Sequence, residues 1–214
     1  MDPTTFIVGI GIVILSIIFH EVAHGFVADW LGDSTARYAG RLTLNPLPHI
    51  DPVGSILVPG ILALTGSPFL IGWAKPVPYN PYNLKRGGKW AEALVAAAGP
   101  LTNIFIALVF GLILRFGVPT GLISGSLLTV CVTVVYANLV LAIYNLIPLP
   151  PLDGSKVLRS ILPYQLSQAY GRLESATYAL GPFALIGVSL VAIYLLWPFL
   201  SSLVKFLFLF IVGG

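Results

Sequence analysis

Charge is what this sequence has least of. Only 9% of its 214 residues are Asp, Glu, Lys or Arg, whereas 57% are hydrophobic and the mean hydropathy is +0.94. A soluble domain carries roughly 25% charged residues, so a water-soluble fold is excluded and an integral membrane protein is expected. The net charge of +3 is too small for a nucleic-acid surface and reads as loop bias. A single cysteine, Cys131, excludes an internal disulfide. The opening MDPTTFIVG has no Lys or Arg and no small-residue cleavage site, so no cleaved leader is expected. No period of 20 to 50 residues repeats, which speaks against a transporter built from paired broken helices.

What is present is apolar runs. A membrane helix needs about 20 mostly apolar residues, and four segments qualify: Phe6 to Trp30, Ala91 to Phe116, Gly121 to Ile147 and Tyr178 to Leu200. A fifth run, Val53 to Gly72, contains Gly54, Pro59, Gly60, Gly66 and Pro68. Such breakers point to a re-entrant or broken segment. The apolar tail from Ser201 to Val212 is too short to span alone and either lies in the interface or extends the last helix. Alternation in AGRLTLNP, residues 39–46, predicts a short β element after the first helix. The expected architecture is one all-α polytopic membrane domain over residues 1–214.

Basic residues orient it. The connections 31–52, 73–90 and 154–177 hold nine of the eleven Lys and Arg. If residues 53–72 dip in and return, all three connections share one face, the cytoplasmic one, and the N-terminus lies outside. Trp30, Trp73, Trp90 and Trp197 then fall near span ends, as an aromatic belt. Arg115 is placed near the outer face, from which it can snorkel.

Inside the first span stands FHEVAHGF, residues 19–26. Ionisable groups at membrane depth are costly and usually functional. His20 and His24 are one helical turn apart on one face, a good spacing for two zinc-binding imidazoles. Glu21 lies one step round, beside the metal, where it can take a proton from water and return it to a leaving amine. This is the HExxH pattern. His20 lies 14 residues past Phe6, about 21 Å along a helix. In a hydrocarbon core about 30 Å thick, that leaves the pair roughly a third of the way in from the cytoplasmic side.

A catalytic zinc takes three protein ligands and water. The best third ligand is Asp153 in YNLIPLPPLDGSKVL, where Pro148, Pro150 and Pro151 prevent an ordinary helix and Gly154 lets the backbone turn. Asp51 is a lesser candidate. His49 reads as a surface loop histidine, with contact to the site as the alternative. Asp29, Asp33 and Arg37 read as a solvated helix end, and Glu92 as a carboxylate suited to the start of its helix.

Taken together, HExxH in the first span, AAAGPLTN (96–103) in a middle one and NLIPLPPLDG (145–154) after the next resemble the site-2 protease family, the intramembrane zinc metalloproteases. The resemblance spans nearly all of the chain. It implies His20, His24 and Asp153 as ligands of Zn2+ and Glu21 as general base. It implies a role for Asn103 in polarising a substrate carbonyl or holding substrate backbone; the alternative is a helix-packing hydrogen bond beside Ala96, Ala97, Ala98 and Gly99. Asn145 is expected to fasten the Pro-rich turn. With no PDZ-like or regulatory insert, the chain resembles the compact prokaryotic branch. The expected partners are a transmembrane protein substrate and membrane lipid, not nucleic acid. The expected location is a cell membrane, multi-pass, with the site toward the cytoplasm. A helix must be unwound before it is cut, and the Gly40–Asn45 strand is expected to hold the extended substrate by strand addition. The competing readings are a metal carrier without hydrolytic role and a helix-binding scaffold.

Overall fold

The computed structural model describes residues 3–65 and 73–213. Among the described residues eight α-helices follow in order: α1 (Pro3–Leu31), α2 (Thr35–Tyr38), α3 (Val58–Leu64), α4 (Ala91–Gly117), α5 (Gly125–Asn145), α6 (Asp153–Ile161), α7 (Tyr164–Ala179) and α8 (Pro182–Val212). Four stretches are long and apolar enough to cross a membrane: Ile7–Leu31, Gly88–Gly117, Gly125–Asn145 and Ala184–Val212. The protein is therefore an all-α multi-pass membrane protein. α4 is the central helix and packs on α1, α5, α6 and α8. One apolar core joins α4, α5 and α8 through Ala107, Leu114, Cys131, Val135, Leu139, Val204 and Ile211. A second, around Ala28, Leu31, Ala91 and Val95, seals α1 to α4 beneath Tyr79 and Leu84.

The last span differs from its expected bounds. Gly181, with φ of 86°, separates α7 from α8, so the span begins later than Tyr178. Pro198 is accommodated inside α8, so the tail 201–212 continues the helix. Trp197 accordingly lies within a span and not at its end. At the far end of the bundle, Arg115 donates to the carbonyl of Phe210 at 3.2 Å.

The predicted β element is absent: among the described residues there is no strand. Gly40 is left-handed. The backbone N–H groups of Gly40 and Arg41 bond back to Arg37 and Ala36. Thr43 Oγ1 accepts from the N–H of Asn45, and Asn45 Oδ1 from that of Leu47. These local bonds compete with strand pairing, and the alternation in the sequence has no partner strand to satisfy.

The broken run 53–72 has a plainer outcome. Asp51 accepts from the N–H groups of Val53 and Gly54 and caps a wide helical turn, Pro52–Leu57, that leads into α3. The chain is back at its starting point by Trp73, whose N–H bonds to the Gly54 carbonyl at 3.1 Å and whose carbonyl accepts from Ser55 Oγ at 2.8 Å. The segment therefore returns to the level at which it left, although residues 66–72 lie outside the described ones. The connections after α1, before α4 and after α5 consequently share one end of the bundle, called here the loop side.

Asp33 holds that side together. It is fully buried rather than solvated. Its carboxylate accepts from the backbone N–H of Thr35 and Asn80, the hydroxyl of Thr35 and the amide of Asn83. Burial alone raises its pKa; the bonds from Thr35, Asn80 and Asn83 outweigh burial and hold the carboxyl below its ordinary value. Because the folded value is depressed, the stabilisation is complete above about pH 4 and is lost as pH falls through the folded value. Asp33→Asn is expected to cost about 1–3 kcal/mol at neutral pH and to lose that acid-dependent fade. Thermal melting of both proteins in detergent between acid and neutral pH measures this.

Candidate metal centre

Three helices, α1, α4 and α6, meet at one point on the loop side of the bundle. α1 brings His20 and His24, both buried. α6 brings Asp153 in its first turn. His20 Nε2 and His24 Nε2 are 3.0 Å apart, and Asp153 Oδ2 lies 3.1 Å from the first and 3.3 Å from the second. Among the described residues these three form the one His, Cys, Asp or Glu group close enough to share a metal ion.

The remaining ring nitrogens fix the protonation. His20 Nδ1 donates to Asn103 Oδ1 at 2.6 Å, and His24 Nδ1 donates to the Val95 carbonyl at 2.7 Å. Each imidazole so carries its proton on Nδ1 and turns a bare Nε2 lone pair inward. Two lone pairs and a carboxylate converging at this distance repel unless a cation lies among them. Ligands at about 2.0–2.1 Å on a tetrahedral zinc stand about 3.3 Å apart, and the observed triangle has that size. The donor set fits zinc.

α4 supplies the wall. A Cβ on Gly99 would lie 2.5 Å from His24 Nε2 and 2.6 Å from His20 Nε2, so only glycine lets the helix pass this close. Pro100 removes the ladder bond to the Ala96 carbonyl, in the same turn in which Val95 accepts from His24. Gly154 is required for a similar reason: a Cβ there would overlap the carbonyl oxygens of Leu146 and Ile147. The Pro-rich turn can therefore fold directly onto α6 and aim Asp153 at the histidines. The base of α6 is braced by α7. Tyr170 donates to the Pro148 carbonyl, Ser155 to Glu174, and Arg159 pairs with Glu174 at 3.1 Å and Glu92 at 3.8 Å.

Of the other candidate residues, Glu21 stands in its expected place, Asn103 takes the helix-packing alternative, and Asp51, His49 and Asn145 differ from their expected places. Asn103 is wholly buried behind His20. Its amide donates to Asn138 Oδ1 at 2.8 Å and the Ser16 carbonyl at 3.3 Å, and its oxygen faces His20, so no hydrogen remains for a substrate carbonyl. Asp51 caps a turn and ligates nothing. His49 is buried, not on the surface, and its Nε2 donates to the Thr43 carbonyl. Asn145 bonds back to the Leu141 carbonyl of its own helix and does not fasten the turn. Glu21 stands beside the triangle, half-buried, and its Oε2 accepts from the N–H of Val77 at 2.8 Å.

Asn138 and Ser16 are joined to the site although the motifs do not single them out. Asn138 is fully buried and donates to Ser16 Oγ at 2.9 Å, which completes a chain Ser16–Asn138–Asn103–His20. A lone asparagine inside TVVYANLVL is the signal that points to it, since polar groups at membrane depth need a partner. Gly99→Ala and Gly154→Ala are each expected to reduce bound zinc well below one per chain. Gly187→Ala, whose Cβ would meet nothing within 4 Å, is expected to leave it unchanged. Elemental analysis of the purified variants distinguishes them.

Comparison with known proteins agrees with this chemistry. Residues 118–188 match the model of Peptidase family M50. The chain is 35% identical over 199 residues to a Bacillus subtilis protein named "Putative zinc metalloprotease YwhC", covering 88% of this chain and 84% of that one. It is 29% identical to "Putative zinc metalloprotease Rip2" of Mycolicibacterium smegmatis, over 88% of this chain and 66% of that protein. It is 38% identical over 119 residues to "Zinc metalloprotease MJ0392" of Methanocaldococcus jannaschii, covering 53% of this chain and 30% of the other. No solved structure matches the chain.

Proposed function

The chain belongs to peptidase family M50, the site-2 proteases, and is a membrane zinc metalloprotease; from that premise we propose that it cuts a peptide bond in or near a transmembrane segment of another membrane protein, with Glu21 as general base. The observation that carries this reading is the triangle of His20 Nε2, His24 Nε2 and Asp153 Oδ2 with Glu21 beside it. These three residues would hold the zinc. Once bound, the ion supplies a Lewis acid that polarises a carbonyl and makes water nucleophilic at neutral pH.

The chain's own groups do the rest. Val77 N–H fixes one carboxylate oxygen of Glu21, and Oε1, which makes no hydrogen bond among the described residues, is free to take a proton from the attacking water. Glu21 then gives that proton to the departing amine nitrogen. Asn103 acts as a positioning residue: it holds the His20 proton on Nδ1 and keeps Nε2 bare. The basic residues of the loop side support a cytoplasmic position for the site, and the single bundle supports one catalytic domain over the whole chain.

The substrate must be extended to be cut. With no strand at Gly40–Asn45, the run Trp73–Tyr79 is the better docking edge. Pro76 and Pro78 keep Lys75 and Val77 out of helical conformation. Trp73, Lys75 and Val77 turn their polar backbone groups toward Gly54, Ser55, His49, Arg41 and Glu21, which leaves the carbonyls of Ala74 and Pro76 on the other edge for substrate N–H groups.

Glu21→Gln is expected to keep about one zinc per chain and to lower kcat on a helix-destabilised transmembrane substrate by about 10²- to 10⁴-fold. Zinc content and single-turnover cleavage, measured on the same detergent preparation, decide it. A variant that cuts at the wild-type rate removes Glu21 from the mechanism, and wild type without zinc removes the ligand set.

A further inference from the structure

Peptide hydrolysis develops negative charge on the scissile carbonyl and ends with a new carboxylate. Asn103 has no hydrogen to offer either one. On the loop side of the metal ligands, however, stands a cation without a counter-ion. Lys156 follows Asp153 by three residues on α6, so the two side chains leave the same face of that helix. Its ammonium lies over the ring of Tyr79, 5.2 Å from the centroid. Tyr79 is two residues beyond Val77, whose N–H holds Glu21.

The neighbouring charges are engaged elsewhere. Asp153 faces the two histidines. Glu92 and Glu174 both pair with Arg159, one turn further along α6. Among the described residues Lys156 has no carboxylate within ion-pair distance, and a partly buried ammonium beside aromatic rings is incompletely compensated. Burial lowers the lysine pKa, but Tyr79, Tyr178 and Asp153 more than offset this and keep it above its ordinary value. The side chain is therefore a standing positive charge.

We propose that Lys156, over the ring of Tyr79, forms an anion subsite on the loop side of the metal ligands that binds a substrate carboxylate next to the scissile bond. The carboxylate is either an acidic side chain flanking the bond or the C-terminal carboxylate that the cut creates. This deepens the proposed function and rests on Glu21, His20, His24 and Asp153 being the catalytic set.

The test uses the full-length protein in detergent, with zinc content measured on every preparation. Wild type, Lys156→Gln and Lys156→Arg are compared on paired transmembrane peptides with Glu or Gln flanking the cut. Inhibition by the N-terminal product fragment is measured for its free acid and its C-terminal amide. Wild type and Lys156→Arg are expected to prefer the Glu peptide, or to be inhibited by the acid over the amide, by about tenfold or more. Lys156→Gln is expected to lose that preference with zinc retained. Loss of the Glu preference identifies the side chain as ligand, and loss of the acid-over-amide inhibition identifies the product. Should Lys156→Gln lose zinc, Tyr79→Leu, which removes the ring beneath the ammonium, takes its place and is expected to weaken the same preference. Unchanged ratios in the zinc-loaded variants overturn the subsite. A wild type that neither holds zinc nor cuts would instead overturn the proposed function.

Discussion

An imidazole inside an apolar bundle can offer an Nε2 lone pair only if something takes the proton on Nδ1. Here the Val95 carbonyl does this for His24, and Asn103 does it for His20. Asn103 in turn is held by Asn138 and the Ser16 carbonyl. Every group in that chain is buried, and an unmatched member would leave a polar atom in a medium where no water replaces the partner. The network therefore sets more than the tautomer. It pins α1, α4 and α5 in one register, because Ser16, Asn103 and Asn138 each come from a different helix. Fold and metal site depend on the same bonds.

Close approach is the second constraint. α4 must touch the HExxH turn, and the Pro-rich turn must touch the start of α6. Gly99 and Gly154 are the places where a single methyl would separate these surfaces. The contact between α4 and α1 brings the Val95 carbonyl within reach of His24, and the contact at Gly154 aims Asp153. α7 adds the brace, through Tyr170 on the Pro148 carbonyl and Glu174 on Ser155 and Arg159. A polar helix outside the four spans thus becomes part of the site's support without touching the ligands.

How much of this is legible in the sequence follows from the range of each interaction. The i, i+4 spacing of His20 and His24 is local, and Asp153 is marked by prolines that forbid a helix just before it. That the chain after the broken run comes back to Gly54 at Trp73 is readable from the run's glycines and prolines, and from the placing of basic residues. What the sequence hides is pairing over long separations. Nothing local distinguishes an asparagine that meets substrate from one that backs a histidine 83 residues away, so Asn103 admits two roles until the fold is known. Asp33 looks solvated because its partners Asn80 and Asn83 are far along the chain. The strand at Gly40–Asn45 fails for the reverse reason: the alternation is present, but among the described residues no neighbouring strand exists to pair with it.

The loop side has a graded character that follows from these placements. His20 and His24 are sealed, Asp153 and Glu21 are half-buried, and the polar groups about Lys156 and Arg159 lie farther out. Neutral imidazoles gain from the exclusion of water, and the gradient suits the part proposed for Glu21, since a proton acceptor must exchange with water. The run Trp73–Tyr79 forms the boundary. Its backbone is fastened at Trp73 and Lys75 to the connection after α1, and at Val77 to Glu21 itself. Because Asp33 anchors the chain again at Asn80, this covering segment is held at both ends. On the proposed reading, a peptide that reaches Glu21 passes along it, so that the segment fastening this carboxylate would also be the surface against which a substrate is straightened.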